Sequence, residues 1–91
     1  MNVKIRLTKK FAKSYDKADE KVKKAFDKRL ELFATSPNHP QLRNHRLTGK
    51  LSLYRSINIT GDWRALYSER KEGKEIVVIF ELLGTHSQLY K

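Results

Sequence analysis

The chain has 91 residues and no cysteine, so we expect one domain, residues 1–91, without disulfides or thiolate metal sites. Its 20 Lys and Arg against 10 Asp and Glu give a net charge of +10, which favours a polyanionic partner: nucleic acid, an acidic protein or an anionic membrane. No apolar segment approaches the roughly 20 residues of a membrane span, and the first residues lack the apolar centre of a secretory signal. We therefore expect a cytoplasmic protein.

The first predicted elements are a strand and a short helix. Apolar and polar residues alternate over "NVKIRL" (2–7), a pattern typical of a half-buried strand. Thr8 is a suitable N-cap for a helix that carries Phe11 and Tyr15 on one face, four residues apart. The chain therefore enters the fold as a strand followed by a helix.

A longer amphipathic helix comes next. Asp19 is a second suitable cap, and "EKVKKAFDKRLELFA" (20–34) places its apolar residues along one stripe. The two prolines of "TSPNHP" (35–40) end this helix. We interpret the lysines opposite the apolar stripes as a solvated face; they are Lys13, Lys17, Lys21, Lys24 and Lys28.

Three strands are predicted after the polar, irregular segment "QLRNHRLTG" (41–49). Gly61 and Gly73 lie in the two turns between these strands, where a permissive backbone is useful. One strand, two helices and three strands predict an α+β fold: a four-stranded, mostly antiparallel sheet with a two-helix hairpin packed on one face. The strands are "SLYRSINI" (52–59), "DWRALYSE" (62–69) and "EIVVIFELL" (75–83).

Helices on one face leave the other face of the sheet open. Arg55 and Arg64 are the candidates for that open face, because charge on a strand face indicates contact with water or with a ligand. The sequence therefore predicts a cationic surface on the side away from the helices.

Three short pieces of the sequence carry a resemblance: "NHRLTG" (44–49), "GDWRALY" (61–67) and "GTHSQLY" (84–90). Their order and spacing resemble the RelE/ParE superfamily of bacterial toxin–antitoxin systems, most closely its YafQ-like branch. The resemblance implies a RelE-like fold and a metal-independent, cofactor-free mRNA endoribonuclease that cuts on the translating ribosome and contacts ribosomal RNA. It also implies a cognate acidic antitoxin as partner, no membrane, and no specific DNA except through the antitoxin complex.

The family's functional residues carry over position by position. Its histidine in the first piece falls on His45, its Asp-Trp pair on Asp62 and Trp63, its last histidine on His86, and its terminal aromatic on Tyr90. One position departs from the pattern. Four residues before the aspartate the family has another histidine, where this chain has Asn58, which cannot titrate.

The residue types suit metal-free RNA cleavage. Histidine, with a free pKa of about 6.5, can act as base or acid near neutral pH, whereas aspartate, at about 3.9, is a poorer base. Arginine binds phosphate oxygens through its planar donor fork. The predicted catalytic residues are His86, Asp62 and His45, and the predicted substrate-binding residues are Arg64, Arg55, Trp63, Tyr90 and Arg46.

Other interpretations of these residues stay open at this point. His45 lies beside two arginines and is equally suited to contacting phosphate, and Asp62 is also a typical turn residue. Trp63 is also a candidate for core packing, and Tyr90 for capping the edge of the core or stacking on a base. For the whole chain, the alternatives are a non-enzymatic gyrase inhibitor like ParE and a basic RNA- or ribosome-binding module. The joint presence of Asp62 and His86 favours the nuclease.

Overall fold

Five β-strands form one mixed sheet in the computed structural model, which describes residues 3–90. The first strand pairs in parallel with the last, and the other neighbouring strands are antiparallel. The predicted α+β class and mostly antiparallel sheet are confirmed, but the sheet has five strands rather than four, because a two-residue strand lies within segment 41–49. The elements are β1 Val3–Leu7, α1 Lys9–Lys17, α2 Glu20–Thr35, β2 His45–Arg46, β3 Arg55–Asn58, β4 Trp63–Glu72, β5 Glu75–Thr85 and α3 His86–Leu89, with short 3-10 helices at Pro40–Leu42 and Gly49–Leu51, and the sheet order is β1-β5-β4-β3-β2.

The two helices of the hairpin begin at the predicted caps. The Thr8 hydroxyl accepts a hydrogen bond from the Phe11 amide at 3.0 Å, and the Asp19 carboxylate accepts one from the Val22 amide at 3.0 Å. Each bond satisfies one of the amides that a helix leaves without an internal partner in its first turn. No helix within residues 3–90 is long and apolar enough to cross a membrane.

An aromatic cluster joins the hairpin to one face of the sheet. Phe11 and Phe26 from the helices lie with ring centroids 5.1 Å apart, and Phe26 meets Phe80 of β5 at 5.7 Å. Phe33 of α2 packs edge-on against Tyr67 of β4 at 5.1 Å. All five rings are buried, and burial raises the pKa of the Tyr67 hydroxyl, which keeps it neutral. This face of the sheet is the core side.

The turns and strand ends differ in detail from the prediction. Gly73, between β4 and β5, has a φ of 64° as expected for a tight hairpin, whereas Gly61 does not have a positive φ. β4 continues three residues beyond Glu69, its predicted end, to Glu72. β3 begins at Arg55 rather than at Ser52. The long β4–β5 hairpin holds the middle of the sheet together.

The last residues add a helical turn on the opposite face of the sheet. Thr85 caps α3: its hydroxyl accepts from the Gln88 amide at 3.3 Å, and the Gln88 side chain accepts from the Thr85 amide at 2.9 Å. This reciprocal pair is a capping box. A Cβ added to Gly84 would lie 3.0 Å from the Gln88 side chain and 3.3 Å from Leu89, so glycine lets the turn fold back closely over the sheet. The tail therefore has structure of its own, and it fixes His86 in place.

Candidate active site

A cavity of about 300 Å³ opens on the face of the sheet away from the helical hairpin. A larger groove of about 520 Å³ runs along α2, but the residues that line it include no histidine or carboxylate. Acid–base chemistry therefore points to the smaller cavity. The residues that line it are Arg43, His45, Asn58, Arg64, His86 and Tyr90.

Strand register brings the cavity residues together from distant parts of the sequence. His45 of β2 pairs with Ser56 of β3, and Asn58 of β3 pairs with Arg64 of β4. Residues two apart on a strand, such as Ser56 and Asn58, point to the same face. The same face of three neighbouring strands therefore carries His45, Asn58 and Arg64 toward the C-terminal turn that begins at His86.

The ring of His45 is oriented by the backbone beside it. Its Nδ1 lies 2.8 Å from the carbonyl oxygen of Arg43, and that residue has a left-handed backbone with φ 45°. A carbonyl can only accept, so Nδ1 carries the hydrogen and donates it. In the neutral ring Nε2 is then left with its lone pair. The exposed imidazole is thereby set up to take a proton at Nε2.

The opposite wall of the cavity is formed by His86 and Tyr90. The His86 amide donates to the carbonyl of Asp62 at 2.9 Å, which ties the start of α3 to the β3–β4 turn. The His86 and Tyr90 rings meet edge to face with centroids 4.5 Å apart. The Tyr90 hydroxyl donates to the buried Ser56 hydroxyl at 2.9 Å. Tyr90 is therefore anchored to the sheet and supports the exposed His86 ring from one side.

Arg64 supplies a fixed positive charge at the base of the cavity. Its Nη1 donates to the carbonyls of Thr60 and Trp63, both at 3.0 Å, and to that of Gly61 at 3.3 Å. Its Nε and Nη2 make no hydrogen bond to protein atoms of residues 3–90. A guanidinium held by one nitrogen keeps its remaining N–H groups free for an anion.

Other predicted site residues lie outside this cavity. Arg55 projects to the core side, where it donates to Asn44, so the expectation that it shares the open face with Arg64 is wrong. Arg46 pairs with Arg55 across β2 and β3 and donates to the Ser52 carbonyl at 3.4 Å. Trp63 packs against the core. The physical reason is strand alternation, which sends neighbours of the cavity residues to the opposite face.

Asp62 contributes through its backbone. Its carbonyl accepts from His86, while its exposed side chain is not among the residues lining the cavity. Arg43 and Asn58, in contrast, line the cavity although neither was among the predicted site residues. Arg43 precedes β2 and has a left-handed backbone, so no strand period in the sequence signals its place in the cavity. No group of three or more histidine, aspartate or glutamate residues suited to holding a metal occurs in the part of the chain that the structure describes.

Comparison with known proteins gives a consistent result. Residues 3–91 match a family described as "Bacterial toxin of type II toxin-antitoxin system, YafQ". A search of curated proteins gives no significant match. Among solved structures, YafQ from E. coli aligns with a TM-score of 0.79 at 19% identity, covering 99% of this chain and 100% of that chain.

Two further solved structures extend the comparison. A conserved Helicobacter pylori protein is 30% identical with a TM-score of 0.67, covering 96% of this chain and 98% of that chain. The toxin–antitoxin complex DinJ-YafQ from E. coli gives a TM-score of 0.71 at 21% identity, with full coverage of both chains, 100% each. These likenesses confirm the RelE-like fold expected from the sequence.

Proposed function

Since this chain belongs to the YafQ family of bacterial toxins of type II toxin–antitoxin systems, we propose that it is an mRNA endoribonuclease that acts on the translating ribosome and so inhibits translation. The observation that carries the proposal is the cavity in which two histidines, His45 and His86, face two arginines, Arg43 and Arg64. Proton transfer and charge stabilisation are the two requirements of RNA cleavage by the 2′-hydroxyl.

The first half of the reaction is assigned to His45. Its Nε2 removes the proton from the 2′-hydroxyl as the 2′-oxygen bonds to the adjacent phosphorus. The Nδ1–H bond to the Arg43 carbonyl, 2.8 Å long, supports this role, because it leaves the lone pair of the neutral ring on Nε2. As the ring gains the proton, the carbonyl stabilises the resulting imidazolium.

The second half is assigned to His86, in its protonated form. It gives a proton to the 5′-oxygen as the bond from phosphorus to that oxygen breaks, leaving a 2′,3′-cyclic phosphate and a 5′-hydroxyl. The free N–H groups of Arg64, with Arg43, bind the phosphate oxygens whose charge grows in the transition state. This chemistry uses protons and fixed cations alone, so we propose that it is metal-independent.

Three more residues complete the proposed site. Tyr90 supports the His86 ring at 4.5 Å, and its half-buried ring is suited to stack on a base. Asn58 lines the cavity where the family pattern has a histidine, and its amide binds the substrate without exchanging a proton. Asp62 anchors His86 through its carbonyl and places an exposed carboxylate at the same turn.

Partners follow from the charge and the family. A net charge of +10 favours docking on ribosomal RNA, since neutralised phosphates release their counterions. The same surface favours an acidic antitoxin, and the similar E. coli structure DinJ-YafQ is a toxin–antitoxin complex. The α2 groove, with Lys21, Lys24 and Lys28 beside it, is one part of that cationic surface. We propose that the antitoxin is a small acidic protein encoded beside the toxin.

The proposal is tested by comparing cleavage of one mRNA in a translating extract and as naked RNA. We expect strong cleavage in the extract and weak cleavage without ribosomes. His45→Ala should abolish most of the activity, whereas His39→Ala, a histidine outside the cavity, should leave it intact. Equal rates on naked and translated mRNA would contradict ribosome dependence. Gyrase inhibition without any RNA cleavage would replace the nuclease by the ParE-like alternative.

A further inference from the structure

A hydrogen-bonded network lies on the core side of the sheet, directly behind the candidate active site. The Asn44 side chain donates from Nδ2 to the Tyr67 hydroxyl at 2.7 Å and to the Pro37 carbonyl at 2.9 Å. Its Oδ1 accepts from Arg55 Nε at 2.9 Å. An amide can make about four such bonds, so Asn44 is nearly saturated. Asn44, the residue before His45, is thereby bonded to β3, to β4 and to the segment after α2.

Besides Asn44, the segment that carries His45 is held by the buried Leu42, by a hydrogen bond from the Arg43 amide to the Pro40 carbonyl, and by a short strand. β2 is two residues long, so it has few backbone bonds to β3. Arg43, whose carbonyl orients the His45 ring, has a φ of 45°, a conformation that L-residues disfavour. Asn44 is the residue between them. Fixing its side chain therefore fixes both the carbonyl of Arg43 and the backbone of His45.

From this geometry we infer that Asn44, held by Arg55 and Tyr67, is the positioning residue for His45. The inference rests on the proposed function, because it assigns the network to the same site. Neighbouring residues of an extended strand point to opposite faces. The network accordingly lies outside the cavity lining and acts through the backbone of His45. Tyr67 and Arg55 are thereby connected to catalysis, although neither lines the cavity.

The direct test is the tautomer of His45, observed by nitrogen NMR of the imidazole in the full-length protein. We expect the neutral ring to carry its hydrogen on Nδ1 in the wild type and to lose this preference in Asn44→Ala. The cleavage rate on ribosomes at saturating substrate should fall by about 10- to 10²-fold, the effect of a small misplacement of a reacting group. KM should change little, because Arg64 is held by its own hydrogen bonds to the β3–β4 turn and stays in place.

Matched variants separate positioning from a general loss of structure. Asn44→Asp keeps an oxygen for Arg55, and the Tyr67 hydroxyl can turn to donate to the second carboxylate oxygen, but the Pro37 carbonyl loses its donor, so this variant should restore only part of the rate. Asn38→Ala is the control. Asn38 lines a second cavity, on the core side beside the network, but is not one of its hydrogen-bonding partners, so its loss should change neither the His45 tautomer nor the rate. Tyr67→Phe removes only one hydrogen bond of the network. It is the variant to use if Asn44→Ala fails to fold, and it should show a weaker tautomer preference at His45 and a smaller loss of rate.

The outcomes also distinguish this inference from the proposed function. An unchanged His45 tautomer and rate in folded Asn44→Ala, with His45→Ala inactive, would overturn the positioning role and leave the nuclease standing. A changed tautomer in a protein that cleaves no RNA under any condition would support the positioning role and overturn the nuclease. A rate loss in Asn44→Ala that only follows its thermal melting would also overturn the inference.

Discussion

The two faces of the central strands differ in what their side chains contact. On the core side, Tyr67 and Phe80 pack against the aromatic rings of the helices. On the opposite face, at the end of the same strands, Arg64 and His86 line an open polar cavity. Strand alternation gives both faces from one stretch of sequence. Stability and the proposed chemistry should therefore respond to different substitutions, and the following variants test that separation.

The largest effect is expected from the core side. The Phe80 ring lies 5.4 to 5.7 Å from the rings of Phe11, Phe26, Phe33 and Tyr67. Phe80→Ala should cost about 3–5 kcal/mol of the free energy of unfolding, a large part of the roughly 5–15 kcal/mol that a domain has. Urea denaturation measures this. Leu53→Ala, at a side chain that is 80% exposed, is the control and should stay within about 0.5 kcal/mol.

The opposite result is expected in the cavity. His86→Ala should lower cleavage in a translating extract by about 10² to 10⁴, the range for losing one proton-transfer group. His86→Gln keeps the hydrogen bonding without titration and should be nearly as impaired. Both should melt within a few degrees of the wild type, because the side chain is exposed. Ser87→Ala, at the exposed next residue, is the control.

Two outcomes would break the separation of the faces. Wild-type cleavage by a stable His86→Ala variant would remove His86 from the catalytic residues and move the gyrase-directed or purely binding alternatives ahead. A large loss of stability in the same variant would mean that the turn at α3 contributes to the fold as much as to the site. The melting curve and the cleavage rate must therefore be measured on the same preparation.

Most of the fold can be predicted from the sequence, because the apolar residues of long helices and strands recur with a clear period. The caps Thr8 and Asp19, the amphipathic α2 and the three later strands are all where the pattern predicts them, to within a few residues. Strand β2 is not predictable from its period, because two residues are too few to show one. The parallel pairing of β1 with β5 is equally hidden, since it depends on tertiary contacts between the two ends of the chain.

The residues of the candidate site are harder to predict from the sequence, and two arginines show why. Arg55 has the same parity as the buried Ile57 and Ile59, which places it on the core side. Arg64 alternates with the buried Ala65 and lines the cavity. Charge alone suggested the open face for both, whereas the apolar partners of Arg55 on its strand place it on the core side; on β4 the pattern is less clear, because Leu66, with the parity of Arg64, is buried as well. The position of a side chain relative to its strand neighbours carries more information than its charge.

The terminal turn holds another pattern that the sequence displays. Thr85 and Gln88 have the spacing of a capping box, with a hydroxyl residue three before a glutamine. That motif predicts a helix start, although the segment is too short for an apolar period. The turn matters for the site, because His86 is its first residue and Tyr90 follows its end. A local hydrogen-bonding motif, rather than periodicity, thus determines where the last histidine lies.

Tyr90 belongs to the site and is also anchored to a buried residue on the same face of the sheet, so it gives the finest test of the separation between chemistry and stability. Its ring supports His86, while its hydroxyl donates to Ser56, whose side chain is fully buried. The resemblance described above implies an aromatic residue at this position. The ring is therefore expected to be essential for the site, and the hydroxyl to contribute to the stability of the fold.

Tyr90→Phe should lower the free energy of unfolding by about 0.5–1.5 kcal/mol, the worth of one hydrogen bond, and change cleavage by no more than a few-fold. Tyr90→Ala should lose much more activity, because the His86 ring then loses the edge contact at 4.5 Å. Ser56→Ala removes the same hydrogen bond from the other side and should match Tyr90→Phe in stability. A cleavage rate that falls with Tyr90→Phe but not with Ser56→Ala would instead make the Tyr90 hydroxyl a proton donor in the reaction, in competition with His86.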